Sequence, residues 1–378
     1  MKEVGIYIHI PFCKSKCYYC DFCSFAKKEN LINDYIKCLI YEIKQKSNKN
    51  YFVKTIFIGG GTPSYINSNF ISEIMQTIKE YYNVYDEAEV TIEANPGTCN
   101  EEKFKDYIKS GINRLSLGLQ SSNNDILKEI GRIHTFEEYE RALELAKKAG
   151  FNNINSDIII GIPNQTISDV DDTINKLIKL NLNHISVYSL IVEENTKIKN
   201  LIDSQKLKLP SDELERNMYW LAKKKLESVG YIHYEISNYA KKGYESKHNL
   251  DCWSQKEYLG FGVNASSFEN NVRYSNTKNM NLYMKNIFNK NINANIQIDE
   301  KMNKRMLMDE YIMLGLRKID GVNLNDFTKK FNENLLDIYK ITIEKLLKEE
   351  LIEINDDNIK LSNKGLDLAN LVWEEFIE

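Results

Sequence analysis

Six short apolar, β-branched runs, each followed by an amphipathic stretch, constrain the first half of the chain more than any other feature. They are VGIYIHI (4–10), KTIFIGG (54–60), EVTIEAN (89–95), RLSLGLQ (114–120), NSDIIIG (155–161) and HISVYSL (184–190). The stretches between them have a helical period. FEEYERALELAKKAG (136–150), for instance, places Gly150 just past the end of a helix, where a left-handed residue is favoured. Strand and helix in repeated alternation predict a parallel sheet covered by helices. At this count the choice lies between an open doubly wound sheet and a partial β/α barrel.

The segments that follow the strands are unusual in composition. The first strand runs into PFCKSKC, the second into GGGTPS, the third into NPG, the fourth into QSS and the fifth into GIPNQT. In β/α folds the chemistry collects at the carboxyl ends of the strands, so these motifs converge on one face.

Beyond residue 200 the pattern loosens. Residues 211–229 read as one long helix and IHYEISNYA (232–240) as a further strand. Residues 270–295 hold ten asparagines and read as a loop-rich connector with one short helix. The last part reads as a helix around 302–318, helices near 324–331 and 335–349, a hairpin at IEINDDNIKLS (352–362) and a final helix. Helix, helix, hairpin resembles a winged-helix module. The expected division is 1–240, 241–297 and 298–378.

That module carries 12 Lys/Arg against 16 Asp/Glu over residues 301–378, and an acidic surface repels phosphates. With a net charge of −4 for the whole chain, nucleic acid is not an expected partner. No run of apolar residues is long enough to span a membrane, and no signal-like segment opens the sequence, so the expectation is a cytoplasmic protein.

Four of the seven cysteines, Cys13, Cys17, Cys20 and Cys23, fall in the segment CKSKCYYCDFC. Cytoplasmic thiols stay reduced, which argues against disulfides. Structural zinc usually takes two ligand pairs separated by a long loop. Three thiolates from one loop suit three irons of a cubane instead, and Phe12, Tyr18, Tyr19 and Phe22 supply a shield against water. A structural zinc stays open as the alternative.

C-x3-C-x2-C at the end of a first strand resembles the radical S-adenosylmethionine (SAM) superfamily. The resemblance implies a partial (βα)6 barrel of the TIM type, a [4Fe–4S] cluster on Cys13, Cys17 and Cys20, and SAM on the remaining iron. Cys23 is then expected to stay unligated. The same resemblance assigns Gly60, Gly61 and Thr62 to the methionine amino group and Glu93 to the ribose or methionine part. Gln120, Arg132 and Asp157 complete a polar pocket at the barrel mouth, with Tyr7 and Tyr19 as further SAM neighbours. Independently of any family, Glu93 is a site candidate because a carboxylate inside the apolar run VTIEAN is costly without a role.

YIHIPFC, GGGTPS, TIEANP, RLSLGLQS and DIIIGIPNQT, in that order, resemble the oxygen-independent coproporphyrinogen III oxidase family. Within it stand coproporphyrinogen dehydrogenases and the haem chaperones called HemW. The dehydrogenases carry C-x3-C-x2-C-x-C, whereas here the fourth cysteine lies one position later. They also have a longer segment before the cluster. HNLDCW (248–253) resembles the HemW motif H-N-x-x-Y-W, with Cys252 in place of its tyrosine. This implies that His248 contacts haem, that haem passes to an acceptor protein, and that a flavodoxin or ferredoxin reduces the cluster. Whether SAM is cleaved is left open. The alternative is SAM-dependent oxidative decarboxylation of coproporphyrinogen III to protoporphyrinogen IX.

Overall fold

The computed structural model describes residues 2–377. The six expected strands form as β1 (Lys2–Ile10), β2 (Tyr51–Gly60), β3 (Asn83–Ala94), β4 (Arg114–Gln120), β5 (Ile154–Ile160) and β6 (His184–Ser189). They lie side by side in chain order and all pair in parallel. A doubly wound sheet reverses its order partway; this one does not. With right-handed crossovers an unreversed order puts every connecting helix on one face, and the sheet curls into a partial barrel.

The connecting helices include α1 (Ile32–Gln45), α2 (Ser68–Tyr81), α3 (Glu101–Lys109), α4 (Phe136–Ala149), α5 (Ile167–Leu180) and α6 (Asp212–Ser228). α4 begins with a capping box between Thr135 and Glu138 and ends at Gly150 with φ 116°, as its sequence predicts.

The strands alternate. In β4, Leu115, Leu117 and Leu119 join the core shared with the helices. Arg114, Ser116, Gly118 and Gln120 take the opposite face, inside the barrel. Strands of an ordinary parallel sheet are apolar on both sides, so this inner row of polar residues marks a lined cavity.

On one side the sheet continues through β7 (Ile232–Glu235) and β8 (Asn238–Ala240), the two short strands into which 232–240 divides. On the other, the short helix α7 (Lys247–Trp253) leads into β9 (Tyr258–Phe261), which pairs in parallel with β1. β10 (Ser266–Glu269), β11 (Val272–Asn276) and β12 (Ile296–Lys301) follow as an antiparallel extension. The asparagine-rich stretch is therefore not a loop-rich connector. It supplies a strand besides the expected short helix, Met280–Phe288, whose Met280, Tyr283, Met284 and Ile287 enter the barrel core.

Residues 308–376 gather a hydrophobic core of their own, including Ile312, Phe327, Ile343, Ile359 and Val372. Helices Lys304–Gly315, Leu324–Phe331 and Lys340–Lys348 precede the expected hairpin. Val322–Asn323 adds a third strand to it. Among the described residues no helix is long and apolar enough to cross a membrane.

Candidate functional site

The cysteine loop leaves the end of β1 and is closed at its base by parallel pairing of Phe12 with Phe25 and Cys13 with Ala26. The glycine run after β2 clamps it: Gly61 N–H donates to Ile10 O (2.8 Å) and Thr62 N–H to Phe12 O (2.9 Å). A Cβ at Gly61 would stand 2.9 Å from the Pro11 carbonyl carbon, so only glycine permits this approach. Gly60 has φ +110°, and a Cβ there would meet the His9 ring at 2.6 Å. His9 in turn hydrogen-bonds the Cys23 carbonyl (2.8 Å), which puts it beneath the loop. The amide protons of the glycine run are spent on structure, Gly60 N–H going to Glu93 Oε2 (3.1 Å). What the run can offer an ammonium group is carbonyl oxygen.

Two of the three predicted ligands are joined by an arc of side chains. Thr62 Oγ1 donates to Cys13 Sγ (3.5 Å) and Asn95 Nδ2 to Thr62 Oγ1 (3.3 Å). Arg132 donates to Asn95 Oδ1, to Gly118 O (2.8 Å) and to Cys17 Sγ (3.6 Å). Gly118 leaves room for this, since a Cβ there would lie 3.1 Å from Arg132 Nη2 and 2.9 Å from Gln120 Nε2. The sequence does not single out Asn95, which stands in NPG, the segment that follows the third strand. Cys20 Sγ lies 3.9 Å from Ser24 Oγ. Cys23 points elsewhere, to Lys278 O (3.6 Å), in keeping with a role outside the trio.

All seven cysteines are free thiols. Burial pushes the Cys13 and Cys20 thiols up, and the neighbouring Cys17 adds to the rise in both. Among the described residues no three His, Cys, Asp or Glu side chains converge to hold a single ion. A cubane takes each thiolate at a different corner and does not require the three sulfurs to meet on one ion. The guanidinium of Arg132, with its Nε unpaired among the described residues, offsets the negative charge that three thiolates bring. The residues fit a cluster.

Around this loop the barrel mouth assembles most of the predicted pocket. Burial first, then the charge of Asp157, pushes the Glu93 carboxyl up to about 8, against the opposing pull of the Gly60 N–H. Asp157 accepts from Ser116 Oγ (2.9 Å) and Asn155 Nδ2 (2.8 Å). Gln120 ends β4 at φ +73°, where the register with β5 shifts. Tyr19 packs beside Tyr18 on a cluster of Ile126, Ile130, Ile159, Ile162 and Ile198. Tyr7 sits lower, with its hydroxyl 3.0 Å from His9 Nδ1 and its ring stacked on Phe57. The sequence reading also passed over Ser116 and Asn155. The polar–apolar alternation within their strands was the available signal.

His248 does not join them. The resemblance implies contact with haem, but His248 lies on α7 and is only 7% exposed. Its Nδ1 is 2.8 Å from Thr55 Oγ1, and its ring packs 5.3 Å from that of Phe57. Glu89 accepts the N–H groups of Lys247 and His248 and so seats the start of α7 on β3. Thr55 and Glu89 pair across β2 and β3 well before the strand ends, so α7 closes the barrel floor, opposite the mouth. Burial, then the Arg114 charge, pushes His248 down to about 4. Burial pushes the Cys252 thiol up to about 12, which makes it a poor thiolate.

The Radical SAM superfamily model matches residues 7–177, and the HemN C-terminal domain model matches residues 302–368. The chain is 37% identical over 377 residues to the protein named heme chaperone HemW of Lactococcus lactis, covering 100% of this chain and 98% of the relative. It is 35% identical over 374 residues to the HemW of Bacillus subtilis, covering 98% of each. Among solved structures, coproporphyrinogen III oxidase (HemN) from Escherichia coli superposes with a TM-score of 0.86 at 22% identity, covering 99% of this chain and 90% of that one. That likeness concerns the fold. A cysteine loop held at the mouth of a six-stranded partial barrel, and full-length identity well above 30%, place the chain in the HemW family of the radical SAM superfamily, which uses SAM and a [4Fe–4S] cluster.

Proposed function

We propose that the protein is a cytoplasmic haem chaperone that binds SAM and a [4Fe–4S] cluster at the barrel mouth and passes haem to an acceptor protein. The observation that carries this reading is the end-to-end similarity to proteins named heme chaperone HemW. A flavodoxin or ferredoxin is the proposed electron donor.

Cys13, Cys17 and Cys20 would hold the cluster, which when bound supplies the electron that radical SAM chemistry requires. Thr62 and Arg132 aim two of those sulfurs. The carbonyl side of Gly60–Thr62 would take the methionine ammonium, and Glu93, Gln120 and Asp157 the remaining polar groups. Tyr7, Tyr19 and the isoleucine cluster exclude water. For haem the α7 segment is the proposed contact. His248 reaches an iron only if α7 lifts from the floor and gives up the bond to Thr55.

Anaerobic reconstitution tests the mouth. Wild type and Cys23→Ser should both show thiolate-to-iron absorbance near ~400 nm, and Cys13→Ser, Cys17→Ser or Cys20→Ser should lose it. A colourless wild type with one zinc per chain would overturn the cluster assignment. Haem titration tests the cargo: a Soret change in wild type that weakens in His248→Ala supports the α7 site. The likeness in fold to HemN makes coproporphyrinogen III the control substrate. Its SAM-dependent conversion to protoporphyrinogen IX would favour a dehydrogenase instead.

A further inference from the structure

Behind Asp157 the bond from Asn155 continues into a chain of buried and half-buried hydrogen bonds. Ser246 N–H meets Tyr234 Oη (3.2 Å), and Tyr234 Oη meets His184 Nε2 (2.7 Å). His184 Nδ1 meets Asn155 Oδ1 (2.6 Å), which also accepts from Ser186 Oγ (3.2 Å). Asn155 Nδ2 then donates to Asp157 Oδ1 (2.8 Å) and to Ser116 Oγ (2.8 Å). Asn155 and His184 are neighbours across β5 and β6, and both are almost wholly buried.

The direction of every proton follows. A backbone N–H only donates, so Tyr234 Oη accepts from Ser246. The Asn155 amide turns Nδ2 to Asp157 and Oδ1 to the ring, so the imidazole proton sits on Nδ1 and the bare Nε2 takes the Tyr234 hydroxyl proton. That amide cannot be turned round, because its oxygen would then face a carboxylate. Burial, then the Arg114 guanidinium, pushes His184 well below the usual imidazole range and keeps the ring neutral. All donors along the chain point toward Asp157, and bonds aligned in this way reinforce one another.

We propose that His184 is a positioning residue which, through Asn155, holds Asp157 as a fixed acceptor for the N–H or O–H groups of the bound cofactor. This rests on the reading that Asp157 faces SAM. The donors behind Asp157 engage both of its oxygens, whereas Glu93 receives one backbone N–H and is pushed up to about 8 by burial and by Asp157. The cofactor meets one acceptor fixed from behind and, in Glu93, one carboxyl that keeps its proton near neutrality.

The test has two parts. In the full-length protein before cluster loading, 15N spectra of labelled histidine should show His184 as the neutral Nδ1–H tautomer at neutral pH. An Nε2–H tautomer or an imidazolium would overturn the inference. In cluster-loaded protein, SAM titration followed by EPR should show His184→Leu binding about tenfold more weakly, the scale seen when a partner behind a ligating group is lost. His184→Asn, which keeps a donor near the Nδ1 position, should recover most of that loss. Tyr234→Phe, which preserves shape, should move the His184 Nε2 resonance. If Asp157→Asn binds SAM as wild type does, the cofactor reading fails first. If Asp157→Asn is weakened but His184→Leu is not, the positioning role alone falls. It falls too if His184→Asn is as weak as His184→Leu and both melt early, since that is the signature of packing.

Discussion

Glu93 and Asp157 lie at one barrel mouth, Glu93 accepting one backbone N–H and Asp157 accepting from Ser116 and Asn155. The folded Glu93 carboxyl is held at about 8 against an ordinary 4.5, with burial as the first cause and Asp157 as the second. The unfolded chain releases this proton at lower pH than the folded one, so the contribution to stability is complete below about 4.5 and lost as pH rises toward about 8. Glu93→Gln should therefore melt a few degrees above wild type on the alkaline side and match it in acid, as read by thermal denaturation across pH. Equal melting at alkaline pH would show that the carboxyl is not held neutral. Glu93 was legible in the sequence because a carboxylate interrupting an apolar strand has a cost that can be seen locally, and the polar interruptions at Asp157 and Gln120 share that signal. Asn95, Ser116 and His184 resemble ordinary strand and turn residues until neighbouring strands bring their partners.

At the level of elements, α1 shows how far local pattern reaches. Its sequence INDYIKCLIYEIKQ is amphipathic, yet Glu42 lies on the buried face, 2% exposed. There it accepts from Lys46 Nζ (2.7 Å), Gly262 N–H (2.9 Å), Asn276 Nδ2 (2.7 Å) and Tyr283 Oη (2.6 Å). One carboxylate thus ties α1 to the segment after β9 and to the asparagine-rich stretch. Removing it leaves a half-buried cation and several buried donors unpaired, and Glu42→Ala should cost roughly 3–5 kcal/mol in urea unfolding. A loss below about 1 kcal/mol, the range of surface pairs, would mean that the network is not formed in solution. The 270–295 stretch was misread for the same reason. Asparagine is a weak strand former, and pairing with β10 and β12 outweighs that preference for β11.

For the molecule as a whole, the open question in the sequence was how the C-terminal module meets the barrel. Arg317 lies between the rings of Trp253 (4.4 Å), on α7, and Trp373 (4.8 Å), near the end of the chain. Backbone bonds from Ile236 N–H to Arg317 O (3.0 Å) and from Ile319 N–H to Tyr234 O (3.1 Å) run beside it. Arg317→Ala removes two cation–π contacts and should loosen this docking by about 1–2 kcal/mol while both cores stay folded. Faster proteolytic cleavage near residue 303, with unchanged melting of the fragments, is the expected outcome. Unchanged cleavage would show that the docking rests elsewhere. The strand–helix alternation, the cap at Gly150 and the cysteine and glycine runs at strand ends were all readable from the chain, because each depends on residues a few positions apart. The strand pattern alone left a barrel and a doubly wound sheet open, the family resemblance implied the barrel, and the strand order shows it; the enclosure of His248 and the chain from Ser246 to Asp157 came only with the tertiary structure. Each of these depends on which distant strands become neighbours, and that is decided by the burial and hydrogen bonding of the assembled sheet.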